Sequence, residues 1–148
     1  MELLKNKKLL YPIILCLLTV IGFLLRLDSI GTKLASDELA TVVTASQSFP
    51  IGITEALMTK NLHAPLFYYI LHFWMKLFGD GLWVVRIPSL IFGTLCIPVG
   101  YFCGKYLRSK WTGIVIAGIT AFTPFLINYS HFCKFFSFLS LLGFLSVL

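Results

Sequence analysis

The sequence predicts an all-α membrane protein with three complete transmembrane helices, the start of a fourth, and short surface helices in the first outer loop. Of its 148 residues 58% are hydrophobic and only 12% are charged, whereas soluble domains contain about 25% charged residues. The mean hydropathy is +0.91. Composition therefore excludes a soluble domain and a disordered segment. The net charge of +6 does not indicate nucleic acid, because the charges separate long uncharged runs, as in membrane proteins.

The spans are predicted from these uncharged runs. The first run, residues 9–25, has a length of roughly 26 Å as a helix, near the lower limit for crossing the hydrocarbon. It could also be the apolar part of a signal peptide, but no cleavage site precedes Arg26. The second and third spans are predicted at residues 83–104 and 111–129. A fourth begins in the run 135–148, which is about two-thirds of a crossing.

A shorter apolar segment, Leu66–Phe78, is predicted to lie along the outer membrane surface. It is roughly 20 Å long as a helix, too short to cross, and it contains His72 and Lys76. These two residues are four apart and predict a water-facing side. If the segment does not cross, the basic loop 105–110 and the basic amino terminus both lie in the cytoplasm, as the positive-inside rule prefers. Residues 26–82 then form the first outer loop.

The outer loop contains signals for two short helices. Ser36 is a plausible N-cap for a helix over about residues 37–46, with carboxylates in its first turn, where they meet the positive end of the helix dipole. Pro50 and Gly52 break the chain, and a second helix is predicted over residues 54–60.

Four polar residues of this loop and its border are candidate site residues. Asp37 and Glu38 serve either as helix cap and solubilising charges, or one of them is a general base or metal ligand. A carboxylate beside an apolar surface has a raised proton affinity and can take a proton from an alcohol. His63 is a helix-start residue, a metal ligand or a phosphate partner. Arg86 either extends to the lipid headgroups or holds an anionic ligand. The residues alone leave these alternatives open.

Motifs of soluble enzymes are not found in the sequence. The four cysteines show no CxxC spacing, and three of them lie inside predicted spans, so neither a disulfide framework nor a zinc cluster is predicted. The sequence contains no phosphate-cradling glycine loop, no GxSxG and no HExxH.

Read in order, five short motifs resemble a known family. They are Asp37-Glu38, His63-Ala64-Pro65-Leu66-Phe67-Tyr68-Tyr69, Phe78-Gly79-Asp80, Arg86-Ile87-Pro88-Ser89-Leu90-Ile91-Phe92-Gly93 and Pro124-Phe125-Leu126-Ile127-Asn128-Tyr129-Ser130. This order is similar to the amino-terminal part of GT-C glycosyltransferases related to dolichyl-phosphate-mannose protein mannosyltransferases and bacterial lipid A aminoarabinose transferases. The resemblance covers about residues 24–148.

The resemblance implies an enzyme that moves a sugar from a polyprenyl-phosphate donor to a hydroxyl of a lipid, glycan or protein acceptor, at the outer face of the cell (plasma) membrane. Asp37 matches the acidic residue of the first outer loop and would be the catalytic base, with Glu38 beside it. Arg86, Lys134 and His63 would bind the donor phosphate. Some relatives use a divalent metal, which His63 and the carboxylates could bind.

The sequence departs from the family pattern at several positions. Ala64 replaces the first of two prolines. In the second outer loop Phe132 stands in place of an acidic residue, and Lys134 in place of an arginine, which loses the bidentate fork for phosphate. Family members also have many more spans. We therefore expect residues 1–148 to be the amino-terminal portion of a transferase, cut short and not active alone.

Two other classes of protein remain as alternatives. A non-catalytic membrane accessory or degenerate relative fits the altered second loop. A transporter or channel fragment is disfavoured, because such proteins line their spans with polar or charged residues, and the predicted spans contain almost none.

Overall fold

The computed structural model describes residues 7–28, 30–31, 33–60 and 64–148. Every regular element within these ranges is helical, as predicted. The α-helices are α1 (Lys7–Leu27), α2 (Ser36–Ala45), α3 (Ile51–Lys60), α4 (Leu66–Phe78), α5 (Ile87–Leu107), α6 (Lys110–Phe122), α7 (Pro124–His131) and α8 (Phe136–Leu145), and a short 3₁₀ helix (Val84–Arg86) leads into α5.

Among the described residues, two helical stretches are long and apolar enough to cross a membrane. They are Leu9–Leu27 of α1 and Val84–Leu107, which joins the 3₁₀ helix to α5. A third span exists only if α6 and α7, which meet at a bend of 54°, are taken together. Helix α8 has 10 residues, too few for a crossing. The prediction of three complete spans and the start of a fourth is therefore not confirmed.

The bend between α6 and α7 has a local cause. Pro124, the first residue of α7, has no backbone N–H to continue the helix, and Thr123 before it is extended, with φ −65° and ψ 119°. Arg26 of α1 donates to the freed carbonyls of Thr120 (2.8 Å) and Ala121 (3.2 Å). The guanidinium thus satisfies carbonyls that a helix end leaves without an intrahelical partner. The structure therefore interrupts, at Thr123, the single helix that was predicted over residues 111–129.

Helix α5 lies at the centre of the packing and contacts α1, α6, α7 and α8. Its contact with α6 is the most extensive; there a Cβ on Gly104 would lie 2.7 Å from the Cα of Gly113, and a Cβ on Gly113 would lie 2.5 Å from the carbonyl oxygen of Tyr101. Such glycines allow helix backbones to pack closely in membranes.

The polypeptide between α1 and α5 forms a separate helical layer. Helix α2 packs on α3 and α4, around the buried side chains of Ile53, Leu57, Phe67 and Leu71. Helix α2 spans one residue less at its carboxyl end than predicted, and α3 begins at Ile51 instead of residue 54. The bounds predicted for α4 are confirmed; its position on the membrane surface stays a prediction.

Candidate functional site

The amino terminus of α2 places two neighbouring carboxylates in different surroundings. Ala35, and not Ser36 as predicted, is the N-cap. The reason is that Glu38, the third residue of α2, turns its carboxylate back and accepts a hydrogen bond from the backbone N–H of Ala35 at 3.0 Å. Successive helical residues point about 100° apart, so Glu38 faces inward and is 1% exposed, while the Asp37 side chain is 81% exposed.

Glu38 and Arg86 form a buried, two-pronged ion pair. Arg86 donates from Nη2 to Oε2 at 2.7 Å and from Nε to Oε1 at 2.8 Å, the strongest geometry for such a pair. The guanidinium also donates to the carbonyls of Ile30 at 2.7 Å and Lys33 at 3.2 Å. On the other side, the backbone N–H of Cys133 donates to Glu38 Oε1 at 2.8 Å. The pair therefore ties α2 to the start of α5 and to the loop after α7.

These contacts fix the protonation state of the carboxylate. Burial alone raises the pKa of Glu38, but the hydrogen bonds from Arg86, Cys133 and Ala35 outweigh burial and leave the pKa below its ordinary value. Glu38 is therefore ionised at neutral pH and its oxygens are occupied. Burial, followed by the nearby Glu38 charge, raises the pKa of the Cys133 thiol to about 12, so this cysteine is an unreactive thiol.

Asp37 and Lys134 form a second, open pair. Lys134 Nζ lies 3.4 Å from Asp37 Oδ2, with the lysine side chain 17% exposed. Both residues line a cavity of about 710 Å³ between the start of α2 and the α7–α8 region. Its described lining residues are Ala35, Ser36, Asp37, Phe125, Asn128, Tyr129, Phe132, Lys134 and Phe136. The charged groups among them are this carboxylate and this ammonium.

The wall opposite α2 is aromatic. The ring of Tyr129 lies 4.5 Å from that of Phe125 and 4.6 Å from that of Phe136, measured between centroids. Such edge and tilted contacts fix the rings in place. The cavity therefore combines one accessible carboxylate and one ammonium with a preformed apolar face.

A smaller cavity of about 280 Å³ adjoins the first. The two share three lining residues, Ala35, Asn128 and Phe132. The smaller one is also lined by Lys33, Glu38, Arg86 and His131. Sequence reasoning missed Asn128 and His131 as site residues. Their place at the end of the third predicted span, a few residues before Lys134, is the signal that could have identified them.

The structure brings the predicted site residues together in two pairs, Asp37 with Lys134 and Glu38 with Arg86. His63 lies outside the described residues. The catalytic and phosphate-binding roles of all five stay predictions. Within the described ranges no three side chains of His, Cys, Asp or Glu are grouped to hold a metal ion, and the divalent metal also stays a prediction.

The other predicted polar pair lies apart from these cavities. His72 is half-buried, and its Nδ1 is 2.8 Å from the carbonyl oxygen of Ala45. Lys76, four residues later, is exposed.

Comparison with known proteins identifies the family. The model of the dolichyl-phosphate-mannose-protein mannosyltransferase family matches residues 62–148. The chain belongs to this family. The resemblance found in the sequence is thereby confirmed, and the family indicates a membrane glycosyltransferase of the GT-C type. No curated protein and no solved structure matches the chain. The mannosyltransferase match includes Arg86, His131 and Lys134, but it does not reach Asp37 and Glu38.

Proposed function

We propose that this chain forms part of the active site of a membrane glycosyltransferase that moves a sugar from a polyprenyl-phosphate donor to an acceptor hydroxyl. Asp37 is the general base in this proposal. The family membership supports the reaction class. The observation that supports the site is the Asp37–Lys134 pair, exposed at one end of an aromatic-walled cavity.

The carboxylate and the ammonium suit the two charge changes of such a transfer, which are the loss of the acceptor proton and the development of negative charge on the leaving phosphate. As the acceptor oxygen forms a bond to the anomeric carbon, its proton passes to the Asp37 carboxylate, a role worth about 10² to 10⁴ in rate. The bond from that carbon to the phosphate oxygen breaks, and the polyprenyl phosphate leaves with the bonding electrons. Lys134, close to the base, stabilises the charge that develops on the phosphate.

The buried pair has a supporting role in this proposal. The Glu38 oxygens already accept hydrogen bonds from Arg86, Ala35 and Cys133. Arg86 could bind the donor phosphate only by giving up part of its contact with Glu38. We therefore assign this ion pair to holding Asp37 opposite Lys134, and leave the phosphate to Lys134 and His63.

The setting of the reaction is part of the same proposal. Both pairs lie near the amino-terminal end of α5, and the basic residues Lys105, in the last turn of α5, and Arg108, just after it, lie at the other end. The positive-inside rule places the basic loop in the cytoplasm, and the cavities then open at the outer face of the cell membrane. The acceptor there is a lipid, a glycan or a protein.

Replacing Asp37 with Asn tests the proposal. In membranes from cells that express the full-length protein, we expect Asp37→Asn to lower transfer of labelled mannose from dolichyl phosphate mannose into membrane acceptors by at least about 10²-fold, because a carboxamide cannot accept the proton. Asp80→Asn is the matched control, because Asp80 is an exposed aspartate that lines neither cavity. Equal turnover of wild type and Asp37→Asn would remove Asp37 as the base.

A second candidate function is a non-catalytic membrane accessory. Phe132 favours it, because this residue replaces the acidic residue of the resembling sequences and lines both cavities. In that case neither wild type nor any variant transfers sugar, and the protein is recovered bound to a larger membrane partner.

A further inference from the structure

The basic loop at the junction of α5 and α6 carries a group of exposed cations. Lys105 is in the last turn of α5, Arg108 follows that helix, and Lys110 is the first residue of α6; all three are exposed. Arg108 and Lys110 are two residues apart in the chain, so their Cα atoms lie at most about 7.6 Å apart. The backbone N–H groups of Arg108 and Ser109 both donate to the carbonyl of Gly104, at 3.1 and 3.3 Å. The turn therefore holds three positive charges in a small, fixed area.

These charges are not balanced by carboxylates. The sequence contains no Asp or Glu in residues 3–27 or 81–148, so α1, α5 and α6 contribute no acidic side chain. In the part of the chain that the structure describes, neither ion pair includes a residue of the basic loop. Cations held this close together repel one another, and a bound anion would relieve that repulsion.

Aromatic side chains indicate the depth of the basic loop in the membrane. Tyr106 and Trp111 are 71% and 59% exposed. The ring of Trp111 meets that of Tyr11 in α1 edge-to-face, with centroids 5.7 Å apart, and Lys110 Nζ lies 5.5 Å from the centroid of the Tyr11 ring. Because Trp and Tyr are enriched at the level of the lipid headgroups, the ammonium of Lys110 lies at the level of the lipid phosphates.

The surface of α6 next to the charges is apolar. Trp111, Val115, Ile119 and Phe122 recur at intervals of three or four residues, which places them on one face of the helix. Each is at least half exposed. An occupant that fits both the charges and this face is anionic at one end and apolar along its length, as an anionic phospholipid is.

We propose that the basic loop binds the headgroup phosphate of an anionic membrane lipid through Lys105, Arg108 and Lys110, with the acyl chains of the lipid lying along the apolar face of α6. A soluble phosphate would satisfy the cations but would leave that face uncovered. The basic loop lies at the opposite end of α5 from Arg86 and the cavities, so this inference does not depend on the proposed function.

Quenching of Trp111 fluorescence by brominated lipids tests the inference. The protein is reconstituted into phosphatidylcholine vesicles that contain brominated phosphatidylglycerol or brominated phosphatidylcholine, and the Trp111 signal is the difference from the same protein with Trp111→Phe. We expect phosphatidylglycerol to bind beside Trp111 about 5-fold more tightly than phosphatidylcholine, the factor that a single Lys or Arg near an anionic lipid surface supplies. In about 1 M salt, where the Debye length is about 3 Å, this preference should shrink.

Two triple variants separate the effect of charge from that of structure. Lys105→Gln with Arg108→Gln and Lys110→Gln removes the charges, and we expect the two lipids to bind beside Trp111 equally. Lys105→Arg with Arg108→Lys and Lys110→Arg keeps the charges and should keep the preference. Lys76→Gln is the control for overall charge, because Lys76 is an exposed lysine of α4, and it should also keep the preference.

Four results would overturn the inference. They are equal quenching by both lipids in the wild type, a preference that persists in the triple glutamine variant, and an equal loss of preference in the charge-preserving variant or in Lys76→Gln. The fourth is loss of the preference when inorganic phosphate is added at constant ionic strength, which would assign the basic loop to a soluble anion. None of them bears on the Asp37 transfer assay, so the two proposals fail separately.

Discussion

Glu38 and Arg86 form a buried ion pair, and removing one or both partners gives the first prediction. Replacing Arg86 with Leu leaves a buried carboxylate without its cation. We expect a loss of about 3–5 kcal/mol in stability, seen as a lower apparent Tm of the protein in detergent. The double variant Glu38→Leu with Arg86→Leu should lose less than the single variant, because no charge is left buried. A double variant less stable than Arg86→Leu would contradict this account.

The lowered pKa of Glu38 gives a pH dependence. The folded pKa lies below the ordinary value of 4.5, so the pair's contribution to stability is complete above that value and is lost as the pH falls through the lower, folded pKa. We expect the apparent Tm to stay level above about pH 5 and to fall in more acidic buffer. In the double leucine variant this acid-dependent part should be smaller, which a Tm series against pH measures.

At the residue scale the sequence draws attention to particular charged residues but does not predict what they contact. Composition and order single out Asp37, Glu38, Arg86 and Lys134. They do not show that the two carboxylates separate, one buried and one exposed. That separation depends on the loop after α7, whose Cys133 N–H meets Glu38, a contact between residues 95 positions apart.

At the scale of the elements, the break between α6 and α7 is stabilised by a side chain from a different helix, α1. Arg26→Leu removes the donors to Thr120 and Ala121 and leaves buried carbonyls unsatisfied, at about 1–3 kcal/mol each. We expect a clear fall in apparent Tm. Arg108→Leu serves as the control, because Arg108 is exposed. If both variants lower the Tm equally, Arg26 does not stabilise the break.

The α5–α6 contact gives a matched pair of glycine variants. At Gly113 a Cβ would meet the backbone and ring of Tyr101, whereas at Gly118, on the same helix, it meets nothing within 4 Å. We expect Gly113→Val to destabilise the protein by about 1–3 kcal/mol, because overpacking forces backbones apart, and Gly118→Val to leave the apparent Tm nearly unchanged. Similar Tm values for the two variants would exclude close backbone packing as the reason.

The elements could be predicted where composition alone decides them. The first span follows from an uncharged run of definite length, and the bounds of α4 follow from a short, strongly apolar segment. The break at Thr123 could not be placed from hydropathy, because residues on both sides of it are equally apolar; Pro124 is the only local signal. The length of α8 was overestimated for the same reason, since an apolar run does not show where the helix within it ends.

For the whole molecule, the orientation in the membrane is the open prediction. The ends of the candidate span Val84–Leu107 lie about 36 Å apart, far enough to reach opposite faces of a membrane. In a cysteine-free background, a membrane-impermeant maleimide applied to intact cells should label a cysteine that replaces Ser36 but not one that replaces Ser109. Both serines are exposed. The reverse labelling pattern would place the cavities in the cytoplasm.

The ion pair between Glu38 and Arg86 joins a part of the chain that the family model matches to a part that it does not match. Arg86 belongs to the segment that the family model matches, and its counter-charge comes from residue 38, which precedes that segment. The matched segment therefore contains a buried cation whose counter-charge lies outside that segment. Anyone dissecting this protein into minimal pieces, or grafting its family region onto another protein, would need to carry α2 along with it.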